Sequence, residues 1–137
     1  MNISSRCEYA CRAMLELAKN ETSVDPVTSV QIANKRDIQE KYLVHILLQL
    51  KRAGLVRSVR GAQGGYLLGR APGSISLLDV VLAIDGPIMD PLPVADTGGT
   101  DLKPAWREVA AEIEKVLGEF TVSDILARAS KGSMYYI

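Results

Sequence analysis

The stretch from Asp37 to Arg70, DIQEKYLVHILLQLKRAGLVRSVRGAQGGYLLGR, constrains the chain most, because a helical period gives way within it to a strand, a glycine-rich turn and a return strand. Leu43, Ile46, Leu47 and Leu50 fall at i, i+3, i+4 and i+7, a single apolar stripe that marks one helix face as core. The opposite face carries Lys41, His45, Leu48 and Arg52, flanked by Val44 and Gln49. Base edges in a DNA groove call for that mixture of cations, hydrogen-bonding groups and short apolar groups. Gly54 follows at the usual left-handed stop position, and LVRSVR continues as a strand with Arg57 and Arg60 carrying charge toward its tip. Gly61, Gly64 and Gly65, with Gln63 among them, permit a tight turn whose backbone can approach another surface closely; Tyr66, Leu67 and Leu68 begin the return strand. The blander alternative is ordinary helix-on-hairpin packing with solvated arginines. The GAQGG turn matches neither a Walker loop nor a G-x-G-x-x-G fingerprint, which argues against nucleotide binding.

Elements before this stretch supply the rest of a helix-turn-helix. Ser5 with Glu8 has capping-box spacing, predicting a helix to about Lys19 with Ala10, Ala13, Met14 and Leu17 buried. Thr28 and Gln31 repeat the spacing and open a short helix with Val30, Ile32 and Ala33; a turn near Lys35 to Asp37 leads into the central helix. Helix, helix, short turn, third helix and hairpin is the winged helix-turn-helix order, with the third helix as reader. Downstream, Ser76 and Asp79 cap a helix that stops at Gly86 and Pro87. Residues 87–103 show no period. From about Pro104 a longer helix carries Trp106, Val109, Ala110, Ile113 and Leu117, with Phe120 one turn on, and Thr121 with Asp124 caps a short last helix. The expected division is therefore 1–86 as DNA-binding domain, 87–103 as loop, and 104–137 as assembly helix and short C-terminal helix.

At 137 residues the chain can build a core without disulfides. No window approaches the roughly 20 apolar residues of a membrane span, and the first residues lack signal-peptide order, so a cytoplasmic protein with reduced thiols and no membrane partner is expected. Charge is segregated: residues 1–75 carry 11 Lys+Arg against 6 Asp+Glu, net +5, and residues 76–137 carry 5 against 10, net −5. One polyanion-facing surface and a separate assembly surface would produce that split. The late Trp106-to-Phe120 stripe needs something to cover it, either its own domain or a second copy. A second copy is favoured, since helix-turn-helix proteins commonly bind as two-fold dimers.

The segments S-S-R-C-E-Y-A, E-K-Y-L, L-K-R-A-G-L-V-R-S-V-R-G-A-Q-G-G-Y-L-L and I-S-L-L-D-V-V, with one Trp beyond them, resemble the bacterial winged-helix regulator family that contains IscR, NsrR and CymR. The resemblance covers essentially the whole chain. It implies a mainly α fold with a small β-hairpin wing, a long C-terminal dimerisation helix, and a homodimeric regulator of transcription, usually a repressor. It also implies that Arg60 is the wing arginine of the minor groove and that Val44 and His45 occupy the base-reading positions. Expected DNA contacts are thus Lys41, Val44, His45, Leu48, Arg52, Arg57, Arg60, Gly61, Gln63 and Gly64, with Ser4, Ser5 and Arg6 on phosphate.

Cluster-bearing relatives hold an iron-sulfur cluster with three cysteines in the loop before the dimer helix, and here that loop, PIMDPLPVADTGGTDLK, has neither cysteine nor histidine. Cys7 and Cys11 are the only thiols; two per chain make four in a dimer, the usual thiolate count for a cluster. An intersubunit cluster on Cys7 and Cys11, thiol sensing without a cluster, and plain packing all stand open. Glu8 is a possible oxygen ligand on the same turn. A disulfide between two positions of one helix is disfavoured by bridge geometry. His45 has no second ligand at helical spacing and reads as a donor to DNA. Enzyme function lacks a nucleophile-base pair, a paired-carboxylate signature or a phosphate loop. The competing function, from another class, is a winged-helix module that binds and regulates a partner enzyme; Arg57, Arg60 and Arg70 together favour DNA.

Overall fold

Four side chains of one helix, Leu43, Ile46, Leu47 and Leu50, are 0% exposed and form the centre of the interior. They lie in a computed structural model that describes residues 2–23, 25–92, 94 and 101–135. The order is α1 (Ser5–Lys19), α2 (Ser29–Arg36), α3 (Glu40–Arg52), β1 (Val56–Val59), β2 (Gly65–Leu68), a 3-10 turn at Pro72–Ser74, α4 (Leu77–Ile84), α5 (Leu102–Glu119) and α6 (Val122–Tyr135). Residues 93 and 95–100 of the expected loop, and the last two of the tail, lie outside the described residues. The fold is the expected one, mainly α with a two-stranded wing.

Local sequence sets most helix starts. The Thr28 hydroxyl accepts the Gln31 N–H at 3.1 Å, and the Gln31 side chain accepts the Thr28 N–H at 2.9 Å. Ser76 with Asp79 and Thr121 with Asp124 form the same reciprocal pairs. Each cap stabilises its helix by about 1 kcal/mol. The first cap differs from expectation: Ser4, not Ser5, accepts the Cys7 N–H at 3.0 Å, and Glu8 instead faces Arg12 at 3.6 Å. Val30 of α2 is exposed, leaving Ile32 and Ala33 as its core residues.

Between α2 and α3, Asp37 adopts φ 54°, a left-handed conformation that a short polar side chain tolerates, and the Ile38 N–H closes the turn on the Ala33 carbonyl at 3.0 Å. Ile38 is buried beneath it. The nearly buried Glu16 of α1 accepts from Arg36 at 2.9 Å and lies 3.7 Å from Lys35, so two cations at the C-terminal end of α2 are tied to the first helix. Their position also complements the helix dipole.

The wing pairs antiparallel in the register Val56↔Leu68, Arg57↔Leu67, Ser58↔Tyr66 and Val59↔Gly65. Val27 adds one rung: its N–H donates to the Tyr66 carbonyl at 3.0 Å and its carbonyl accepts from Tyr66 at 2.7 Å. A side chain at residue 65 would place Cβ 2.6 Å from the Val27 carbonyl oxygen, so this approach requires the glycine there.

The core continues past residue 86, where it was expected to close. Ile88 and Val122 are buried in it, and Ala110, Ile113, Leu117 and Leu126 pack against it. A two-bond clamp joins the segments before α4 and α6: Leu77 donates to the Phe120 carbonyl at 2.9 Å and Val122 to the Ile75 carbonyl at 2.8 Å. Helix α5 begins at Leu102, two residues before the expected Pro104, because proline in a first turn forfeits no helical hydrogen bond. Helix α6 runs 14 residues, longer than the short last helix expected, and packs on α1 and the 3-10 turn. None of the described helices is long and apolar enough to cross a membrane.

Candidate nucleic-acid interface

Helix α3 divides cleanly. With its core stripe inward, Lys41, Val44, His45, Leu48 and Arg52 are all exposed on the other side, Val44 and Leu48 at 41% and 44%. Exposed aliphatic groups beside a lysine, a histidine and an arginine can meet thymine methyls and base-edge acceptors together. Strand β1 packs on α3, which makes the wing its neighbour. Arg57, Arg60, Gly61 and Gln63 are exposed, and no ion pair engages either arginine among the described residues.

Several expected contacts have other duties. Gly64 is half-buried, and a Cβ there would collide with the Val59 carbonyl, so this glycine serves the turn. Arg70 lies 3.8 Å from Asp79 and donates to the Ser74 carbonyl at 3.3 Å, which anchors it at the start of α4 and away from the wing tip. Ser4 spends its hydroxyl proton on the Asp85 carboxylate at 2.6 Å while capping α1, leaving no donor for a phosphate. Arg6 donates to the Gln49 side-chain oxygen and lies 5.7 Å from the Tyr42 ring centroid. Of the three N-terminal residues only Ser5 stays exposed and uncommitted among the described residues.

The apolar stripe of helix α5 is broad enough to have an inner and an outer edge. Ala110, Ile113 and Leu117 pack on the chain's own core, and Ile113 and Leu117 also reach the outward side. Outward, Trp106, Val109 and Val116 are 43%, 42% and 51% exposed, and Leu102 precedes them in the same row. A groove of about 610 Å³ runs there, lined by Ala105, Val109, Ile113, Val116 and Leu117 with Glu108 and Glu112. Phe120 is half-buried beneath the Arg128 guanidinium, 4.5 Å from its ring centroid. Val116 and Leu102 were missed, yet the spacing 102, 106, 109, 113, 116, 120 alternates four and three residues, a heptad signal present in the sequence.

The cysteines do not fit an iron-sulfur site. Cys7 has 0% exposure and belongs to the core, so its sulfur cannot reach a partner chain while α1 stays packed. Cys11 is only partly exposed; its hydrogen bond with Cys7 holds the Cys7 thiol below its ordinary range and, with burial, pushes the Cys11 thiol far above its own. Thiolate is the form that ligates iron, and of the two it is favoured only at the sealed Cys7. Among the described residues no three His, Cys, Asp or Glu side chains gather as a metal site. In the single chain Cys7 packs within the core and Cys11 against it, and nothing among the described residues supports Cys7 and Cys11 as ligands shared across a dimer.

Residues 3–128 match the family model Rrf2, described as iron-dependent transcriptional regulator. The HTH-type transcriptional regulator CymR of Bacillus subtilis is 32% identical over 140 residues, covering 100% of both chains. The regulator IscR of Klebsiella pneumoniae is 32% identical over 132 residues, 92% of this chain and 80% of the relative. Among solved structures, B. subtilis CymR, titled the global cysteine regulator, superposes with TM-score 0.79 at 32% identity over 93% of this chain and 98% of that one. T. potens IscR superposes with TM-score 0.78 at 35% identity, covering 99% and 97%.

Proposed function

We propose, for a chain that belongs to the Rrf2 family of DNA-binding transcription regulators and is not an enzyme, that it works as a homodimer which seats two copies of α3 in successive major grooves and represses by occupying its operator. The single observation that carries this reading is the division of α3: four core side chains at 0% exposure on one face, and Lys41, Val44, His45, Leu48 and Arg52 in the open on the other, beside the exposed wing arginines. Acting on bacterial DNA would place the protein in the cytoplasm. The second copy is supported by the outward row of α5, because large apolar groups in an a/d spacing leave a seam that an identical helix can fill. Ten of the sixteen acidic residues fall in 76–137, the part of the chain that carries this helix, and eleven of the sixteen Lys and Arg fall in 1–75 with the reader.

Salt dependence tests the DNA reading. Binding to duplex DNA should weaken steeply and log-linearly as salt rises, because Lys and Arg displace condensed counterions from phosphate. A flat response would favour the alternative, a winged-helix module acting on a partner protein.

Regulation through an iron-sulfur cluster on Cys7 and Cys11 is not supported by the full burial of Cys7, so the signal is proposed to enter elsewhere. Protein reconstituted anaerobically with iron and sulfide should stay colourless. Cys7→Ser should lower unfolding stability by about 1 to 2 kcal/mol, since a hydroxyl replaces a fully buried thiol. Brown protein with one cluster per dimer, bleached by either serine substitution, would mean that α1 opens to expose both sulfurs.

A further inference from the structure

We propose that Arg6 is a positioning residue that fixes the polarity of Gln49, so that Gln49 meets a base edge in the major groove only as a hydrogen-bond donor; this rests on the DNA-binding reading above. The Arg6 guanidinium donates to the Gln49 side-chain oxygen across 43 positions of sequence. Arginine has N–H donors and no acceptor, so chemistry alone requires that the amide oxygen face it and the amide nitrogen face away. The arginine is itself held in place. It lies 5.7 Å from the Tyr42 centroid; Tyr42 meets Tyr9 edge-on at 5.7 Å; Arg12 lies 5.3 Å from Tyr9 and donates to the Arg36 carbonyl at 3.3 Å. That row ties α1 to both helices of the helix-turn-helix. Gln49 stands one turn after His45 and three residues before Arg52, half-buried at the border of the exposed reader face.

An unrestrained glutamine can present oxygen and nitrogen side by side and read adenine bidentately, accepting from N6 and donating to N7. With its oxygen turned to Arg6, Gln49 retains two N–H donors. Acceptors on the major-groove edges are N7 and O6 of guanine, O4 of thymine and N7 of adenine, whereas cytosine offers only a donor. The base opposite Gln49 should therefore be guanine, thymine or adenine with little preference among them, and not cytosine. The same donors also suit a phosphate oxygen, and the variants below separate the two.

The test uses the full chain and a duplex selected by it from random sequence, with each base pair of one half-site changed in turn to all four. Gln49→Glu keeps the Arg6 partner but offers only acceptors, so preference at one base pair should move toward cytosine by about tenfold. Arg6→Ala frees the amide, and adenine at that same pair should gain about tenfold over guanine and thymine. Arg6→Lys, which also only donates, should keep the wild-type preference. Three results would overturn the inference: uniform weakening on every duplex by Gln49→Glu, which marks a phosphate contact; unchanged preference in Arg6→Ala; or changes spread across the half-site with a lowered Tm in Arg6→Ala, which marks a merely structural arginine. Failure of the wild type to select any duplex would count against the DNA-binding reading instead.

Discussion

Val109→Asp is expected to yield monomers that keep a folded core and lose operator affinity by at least about a hundredfold, because each monomer reaches one half-site where the dimer reaches two. Val109 is 42% exposed in the single chain and is not among the residues packed on its own core, so the substitution should cost the fold under about 0.5 kcal/mol. Between two chains the same carboxylate would be buried against an identical carboxylate, and desolvating unpaired like charges costs several kcal/mol. Ile113→Asp is a less discriminating choice, since Ile113 also packs on the core. Sedimentation of Val109→Asp at micromolar concentration should report the monomer mass with unchanged helical content. An intact dimer would move the interface away from the outward face of α5.

Arg60→Ala should weaken specific binding by roughly 1 to 3 kcal/mol while leaving Tm unchanged. The guanidinium is exposed at the end of β1, where it has no ion-pair partner among the described residues and therefore nothing to lose in the free protein. A narrow A·T-rich minor groove concentrates negative potential, and an arginine inserted there gains more than one on an open phosphate. The loss should accordingly be larger on duplexes whose flanking step is A·T than on those where it is G·C. Equal affinities for mutant and wild type would remove the wing from the interface.

Those parts of the molecule written in short-range pattern were legible in the sequence. The α3 stripe, the wing with its glycine turn and three of the four predicted caps depend on residues within a few positions of one another, and each appears where its spacing placed it. What escaped notice is set over long separations. Ser4 and Ser5 are equally able to cap α1, and the hydrogen bond that singles out Ser4 comes from it to Asp85, 81 positions away. Arg6 reads as a phosphate contact until Gln49 is found against it. Helix α5 carries a single broad apolar stripe, so periodicity showed that it was amphipathic but not that Ala110 packs inward, that Val109 and Val116 turn out, and that Ile113 and Leu117 between them serve both sides. Cys7 and Cys11 flank the buried stripe of α1, and it is the packing of α2, α3, α4 and α6 around that helix, invisible in its own sequence, that leaves Cys7 sealed.

Selection of the wild-type chain against a pool of random-sequence duplexes tests most directly whether a symmetric pair of reader helices does the work. A dimer with two α3 helices and two wings should enrich a pseudo-palindrome whose half-sites are about 34 to 36 Å, or a multiple of that, from centre to centre, with A·T-rich steps where the wings fall. Enrichment of an unsymmetrical single site, or of no sequence at all at low salt, would contradict it.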